Sequence, residues 1–202
     1  MFTPPTDLAP VRTGDGSYTL DSRTLGEHYH SMYGAAAESR HVYIDMGLRA
    51  RGLGTVDLLE VGLGTGLNAL LTLIESEQTG RVVRYHALEP WPVPAETLTV
   101  LDHAAALGRP DLRSLFEEMM GSDEVRVANG FTFQRIPLPV QELGTIEAYD
   151  LVYFDAFAPT VQPEMWTLDV FRRIHRAMRP GAILVTYCAK GLVRRTLQEA
   201  GF

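Results

Sequence analysis

Only one cysteine, Cys188, occurs in 202 residues, so no internal disulfide can form. It lies in an apolar, strand-like stretch and reads as a small buried hydrophobe. Nor do the histidines suggest a metal: His28, His30 and His41 have no helical ligand spacing and no cysteine to complete a set. No apolar run approaches the roughly 20 residues that a membrane helix needs. The N-terminus has no basic segment followed by an apolar core, so the expected location is cytoplasmic and no membrane partner is expected. There is no excess of basic charge either. With 25 acidic and 18 basic residues the net charge is −7, which advertises no broad face for nucleic acid, although a local arginine cluster can hold phosphates on an acidic protein. Internal repeats, low-complexity tracts and interdomain linkers are absent. A hydrophobic content of 46% and a charged content of 21% place the chain among ordinary globular proteins. One domain over 1–202 is expected, with a hairpin and helical cap over 1–54 and a nucleotide-binding sheet over 55–202.

What is present centres on Leu58 to Leu71. An apolar run enters Glu60-Val61-Gly62-Leu63-Gly64-Thr65-Gly66 and continues into Leu67-Asn68-Ala69-Leu70-Leu71 with helical spacing, a strand, a tight turn and a helix. Glycines there permit positive φ and let a ligand approach bare backbone. The helix aims its free N–H groups at the same point. Such a corner, at the carboxyl end of a central parallel strand, is where open α/β sheets hold nucleotides. Gly64, Gly66 and Ala69 also fit the dinucleotide pattern G-x-G-x-x-G/A, so a nicotinamide cofactor stays open on the glycines alone. Glu60 argues against it, because a carboxylate at the strand end repels a pyrophosphate but suits the sulfonium of S-adenosylmethionine.

The rest of the chain supplies candidates in order. Pro4, Pro5 and Pro10 make an extended lead-in, and Thr13-Gly14-Asp15-Gly16-Ser17 is a turn signal ahead of a short strand. Between Glu27 and Ile44, aromatic and histidine residues either pack and cap a helix running from about Glu38 to Arg51, or place Tyr29, His30 and Glu38 at the mouth of the pocket. Val82 to Glu89 reads as the second strand. Glu89 at its end is the acidic side chain that would take both ribose hydroxyls. Glu96 to Leu107 and Arg113 to Met120 read as helices. Val125 to Ala128 and Phe131 to Ile136 alternate around Asn129-Gly130, the signature of a two-strand arm. Tyr149 to Asp155 is the fourth parallel strand, apolar on both faces, and delivers Asp155 at its end. A helix from Gln162 to about Met178 is expected to stop at Pro180-Gly181, before a fifth strand, Ala182 to Cys188, and a last helix to Ala200.

Four stretches carry a family resemblance: Glu60 to Asn68, Glu38-Ser39-Arg40-His41-Val42-Tyr43, Asp155-Ala156-Phe157-Ala158-Pro159 and Pro163-Glu164-Met165-Trp166. Together they resemble the MnmC methyltransferase domains and their stand-alone form, MnmD, from about Asp15 to Phe202. The resemblance implies a Rossmann-like class I methyltransferase, an open and mostly parallel α/β sheet with helices on both faces and a short N-terminal extension. It implies S-adenosyl-L-methionine as cofactor and tRNA as partner. The implied reaction is methylation of the aminomethyl group on the wobble uridine, converting 5-aminomethyl-2-thiouridine to 5-methylaminomethyl-2-thiouridine. A separate oxidoreductase would supply the aminomethyl substrate. Asp155 would be catalytic and also touch the cofactor, with Glu60, Gly62, Gly64, Gly66, Asn68 and Glu89. Tyr29, His30, Glu38, Phe157 and Trp166 would meet the substrate. No acidic residue stands in Pro137-Leu138-Pro139-Val140, so backbone groups there are expected to meet adenine. Because class I methyltransferases add two strands after the fifth, further residues are expected to cover the edge of strand Ala182 to Cys188. A small-molecule amine methyltransferase and a non-catalytic nucleotide-binding module are the alternatives.

Overall fold

The computed structural model describes residues 5–52, 54–127 and 130–202. Six strands form the central sheet: β4 (Val56–Val61), β5 (Val83–Leu88), β6 (Glu124–Val127), β7 (Phe131–Ile136), β8 (Tyr149–Phe154) and β9 (Met178–Val185), in the order β6-β7-β5-β4-β8-β9. All neighbours are parallel except β6, which runs antiparallel to β7. Every residue of β4 is buried, as a central strand covered on both faces requires. Side chains alternate between the faces with the two-residue period of a strand. Leu58, Tyr85, Phe131, Phe133, Leu151 and Tyr153 join one core with helix α2 (Leu67–Thr79). Leu59, Val61, Val152 and Phe154 join a second core with helix α6 (Leu168–Ala177), and helix α7 (Gly191–Ala200) adds Val193 to it.

Ahead of this sheet lies a three-stranded antiparallel one, β1 (Leu8–Arg12), β2 (Tyr18–Ser22) and β3 (Glu27–His28). The helical segment that follows begins as α1 (Ala35–Ser39), widens into π turns over Arg40–Leu48 and tightens into a 3-10 turn over Arg49–Arg51. Asp15 joins the two parts. Its carboxylate accepts from the Thr13 hydroxyl at 2.8 Å, the Ser17 amide at 3.0 Å and the Ala37 amide at 2.9 Å. The remaining helices, α3 (Ala95–Leu101), α4 (His103–Ala106) and α5 (Arg113–Gly121), follow β5.

Four sequence expectations change. Leu8–Arg12, read as an extended lead-in, is the first strand of the expected hairpin and pairs along its whole length with Tyr18–Ser22. The arm is not an arm: β7 pairs in parallel with β5 from Val83↔Phe131 to Leu88↔Ile136, since burying Phe131 and Phe133 against Tyr85 removes more apolar surface from water than a free hairpin could. Asn129 of its turn lies outside the described residues. The helix expected from Gln162 is split. Pro163–Trp166 is a 3-10 turn, and α6 starts only where the Thr167 hydroxyl caps the Val170 amide. Finally, Pro180-Gly181 lies inside β9 instead of ending the helix. The register jumps from Tyr149↔Met178 to Leu151↔Ile183, a bulge that tolerates proline and the positive φ of Gly181 (77°) because β9 is the outer strand. Thr186 to Cys188 have left the ladder.

At the amino ends of the strands, away from the glycine turn, Asp57 and Asp150 share a cluster of arginines. Arg179 Nη1 donates to both carboxylates at 2.8 Å, Asp57 also binds Arg84, and Asp150 accepts the Asp57 amide at 3.0 Å. The Arg84 hydrogen bonds hold the Asp57 carboxyl below the usual carboxylate range against the opposing effect of burial, with Arg179 adding to the lowering. Arg179→Ala is expected to cost about 1–3 kcal/mol, read as a lower Tm with unchanged cofactor affinity. A lowered carboxyl gives stability that is present above its unfolded value of about 3.9 and lost as pH falls through the folded value. The difference between wild type and variant should therefore shrink in acid.

Candidate active site

A cavity of about 620 Å³ opens over the carboxyl ends of β4, β5 and β8. Its floor is the glycine turn, Glu89 and the segment after β8. The residues of β3, those just after it and the start of the helical segment form its roof.

The turn has to be bare. Gly62 has φ 89°, and a Cβ on it would stand 2.7 Å from the Asp155 carbonyl oxygen. Gly66 has φ 77° and caps α2; a Cβ there would strike the Met120 sulfur. Gly64, at φ 52°, has only the Tyr29 ring nearby, at 3.3 Å. The carboxylate of Glu89 then stitches this turn: Oε2 accepts from the Leu63 and Gly64 amides at 3.1 and 3.2 Å, and Oε1 from the Trp91 amide at 3.0 Å. Burial raises its pKa while these donors oppose the rise. Two consequences follow. The carboxylate that the Leu63 and Gly64 amides bind would repel a pyrophosphate at this turn, which argues against the dinucleotide reading. Glu89 retains lone pairs for a ribose diol, since a carboxylate offers about four acceptor sites.

Asp155 sits half-buried on the floor, ringed by protein except towards the cavity. Burial pushes its pKa up to about 6, the Glu38 charge adds to the rise, and Tyr43 and Asn68 oppose it. The Asn68 amide donates to Asp155 Oδ2 at 2.8 Å and to Glu60 Oε1 at 2.9 Å. Glu60 does not face the cavity. It is fully buried, because strand alternation turns it with Leu58 towards α2, and burial raises its pKa well above the ordinary carboxylate value. Its influence on a ligand passes through Asn68. Tyr43 has a buried hydroxyl that makes no hydrogen bond of ordinary geometry among the described residues.

Tyr29, His30, Glu38 and Phe157 line the cavity. The Tyr29 and Phe157 rings meet edge to face at 4.9 Å, and Glu38 is held by the Ser31 amide at 2.9 Å. His30 contacts the Thr19 hydroxyl at 3.1 Å, and burial lowers its pKa to about 4, so the ring is neutral at pH 7. Trp166 is not in the wall. It packs on Phe154 in the core, and its Nε1 donates to the Phe157 carbonyl at 2.8 Å, which steadies the wall from behind. Gly66 and Asn68 likewise stand one layer below the lining.

Sequence reasoning passed over Glu27, Gln141, Gln162 and Tyr187, all lining residues. Gln141 directly follows the proline run inspected for an acid, and its amide is the polar group that stretch brings to the cavity. Tyr187 was concealed in an apolar run; its hydroxyl donates to the Ala156 carbonyl at 2.9 Å. Among the described residues no cluster of side chains is arranged to hold a metal ion, and no helix is long and apolar enough to cross a membrane.

A bare glycine turn, a strand-end carboxylate bound to its amides and an acidic cavity on an open parallel sheet fit a Rossmann-like methyltransferase that depends on S-adenosyl-L-methionine. Residues 121–202 match the model of an S-adenosyl-L-methionine-dependent methyltransferase family. The chain is 32% identical over 210 residues to the tRNA 5-methylaminomethyl-2-thiouridine biosynthesis bifunctional protein MnmC of Aeromonas salmonicida, with 90% of this chain and 30% of that protein covered. The protein of the same name from Burkholderia multivorans is also 32% identical, over 91% of this chain and 30% of its own length. The chain thus spans about 30% of the length of these relatives. The crystal structure of MnmC2 from Aquifex aeolicus superposes with a TM-score of 0.73 at 25% identity, covering 96% of this chain and 64% of that one. Spermidine synthase from Thermotoga maritima shares the fold, with a TM-score of 0.58 at 12% identity, over 99% of this chain and 63% of that one. The chain belongs to the family of MnmC methyltransferase domains.

Proposed function

We propose that this protein transfers a methyl group to the primary amine of an aminomethyl uridine at the wobble position of tRNA, forming the 5-methylaminomethyl-2-thiouridine named in its relatives. One observation carries the reading. The cavity wall contains Glu27, Glu38, Glu89, Asp155 and Glu164 and, among the described residues, no lysine or arginine. Such a wall attracts a sulfonium and an ammonium and repels phosphate. The amine therefore enters, while the backbone phosphates of its nucleic acid stay outside. A separate oxidoreductase that uncovers the amine is the expected partner upstream. We take residues 1–54 as the cap over a nucleotide-binding sheet formed by 55–202.

When bound, the cofactor supplies an electrophilic methyl on a positively charged sulfur. This chain supplies the amine in usable form. An alkylammonium has a reference pKa near 10.4, so a neutral amine at pH 7 costs about 4–5 kcal/mol. Ionised Asp155 attracts the ammonium and orients it, which by itself favours the charged form. Its raised pKa makes it a better proton acceptor than an ordinary aspartate, and it passes the proton on towards solvent. Asn68 keeps the other carboxylate oxygen fixed, while Tyr29 and Phe157 exclude water around the nitrogen.

Transfer of labelled methyl from the cofactor into bulk tRNA of cells lacking this modification is the test. Labelling of small amines without tRNA, or cofactor binding without transfer, would overturn the reading. Glu38→Gln keeps an acceptor for the Ser31 amide and removes one charge. It should raise KM for the amine substrate roughly threefold to tenfold and move the acidic limb of the pH profile downward, since the Glu38 charge helps raise Asp155.

A further inference from the structure

We infer that the outer face of α6 and α7 is the surface that grips the phosphate backbone of the RNA whose base enters the cavity. This rests on the RNA reading above and adds where the polyanion lies. Residues 168–202 carry seven basic side chains against two acidic, in a chain whose net charge is −7. Two of the seven are occupied: Arg173 pairs with Asp169, and Arg179 with Asp57 and Asp150. Arg172, Arg176, Lys190, Arg194 and Arg195 are exposed and make no ion pair among the described residues.

Their spacing is unfavourable without a partner. Arg172 and Arg176, and Lys190 and Arg194, are like charges four residues apart, an arrangement that weakens a helix. Lys190 at the N-cap and Arg194 in the first turn of α7 also stand where the helix dipole disfavours cations. Glu199, the one carboxylate of α7, pairs with none of them. A polyanion laid along the face relieves all of these repulsions at once.

The face also begins at the right place. Tyr187 lines the cavity and is bonded to Ala156 behind Asp155. Lys190 follows three residues later, within roughly 11 Å of chain, and Arg194 one helical turn beyond. The His175 and Phe202 rings pack at 5.1 Å, so α7 lies beside α6 and their exposed cations stand on neighbouring helices. Phosphates, repelled by the carboxylates inside, thus meet unpaired cations immediately outside.

The test is the triple variant Lys190→Gln/Arg194→Gln/Arg195→Gln, compared with Arg194→Lys/Arg195→Lys, which keeps the charge. Three readouts are needed: tRNA Kd by anisotropy at several salt concentrations, methyl transfer to tRNA, and cofactor affinity. In the triple variant, tRNA Kd and KM should rise roughly tenfold or more, and the slope of log Kd against log salt should flatten by about 2 to 3. Its kcat at saturating tRNA and its cofactor affinity should stay within about twofold, and the lysine variant should bind close to wild type. Unchanged tRNA Kd and salt slope would overturn this surface while leaving the reaction intact. Salt-dependent tRNA binding that needs these residues, in a protein that transfers no methyl to tRNA, would overturn the reaction and retain the surface.

Discussion

Asp155→Asn should lower kcat roughly a hundredfold or more while leaving cofactor affinity within about twofold. The substitution preserves the shape at the end of β8. It removes the charge that draws the ammonium in and the oxygen that takes its proton. The cofactor loses little, because the turn and Glu89 are held by contacts that do not involve this side chain. A pH profile gives a second, independent reading. If ionised Asp155 is required, kcat/KM in wild type should climb as pH rises through about 6, the value to which burial pushes this carboxyl, and the limb should vanish in the variant. An unaltered limb with near-normal turnover would remove Asp155 from the mechanism.

Gly62→Ala should abolish measurable cofactor binding, by a route unrelated to charge. At φ 89° an alanine is strained in any surroundings, and here its Cβ would also lie 2.7 Å from the Asp155 carbonyl oxygen. Backbone cannot rotate away as a side chain can. Either the turn or the start of the segment after β8 must move, and both form the cavity floor. The comparison is Gly64→Ala, whose Cβ meets only the edge of the Tyr29 ring at 3.3 Å. That variant carries the cost of the left-handed backbone, about 1–2 kcal/mol, and should weaken binding rather than eliminate it. Titration calorimetry with the cofactor distinguishes the two, and equal affinities would show that the contact between the turn and Asp155 is not what shapes the site.

Much of the fold could be read directly from residue order. The glycine turn after an apolar strand, the acidic ends of the second and fourth strands and the all-apolar Leu151-Val152-Tyr153-Phe154 are local signals, and local sterics and strand period suffice to interpret them. The same period, applied to Glu60, would have turned it towards α2 and away from the cavity. That sign was available, and the attraction between a carboxylate and a sulfonium overrode it. For the Phe131 strand, local reading found the hairpin yet could not see that β5 offered a parallel edge.

What the sequence by itself determined is therefore what stands at the strand ends: a glycine at 62, a carboxylate at Glu89 and another at Asp155. Only the tertiary structure decided which groups share the cavity. It joined Asp155 to Glu60 through Asn68, set Glu38 close enough to raise the Asp155 pKa, placed Trp166 behind Phe157 instead of in the wall, and brought in Gln141 and Tyr187. The pairings that bring Asn68 and Glu38 to Asp155 join residues many tens of positions apart along the chain. The energies that select them, burial of large side chains and desolvation of charge, depend on which surfaces finally pack together, and no stretch of sequence carries that information on its own.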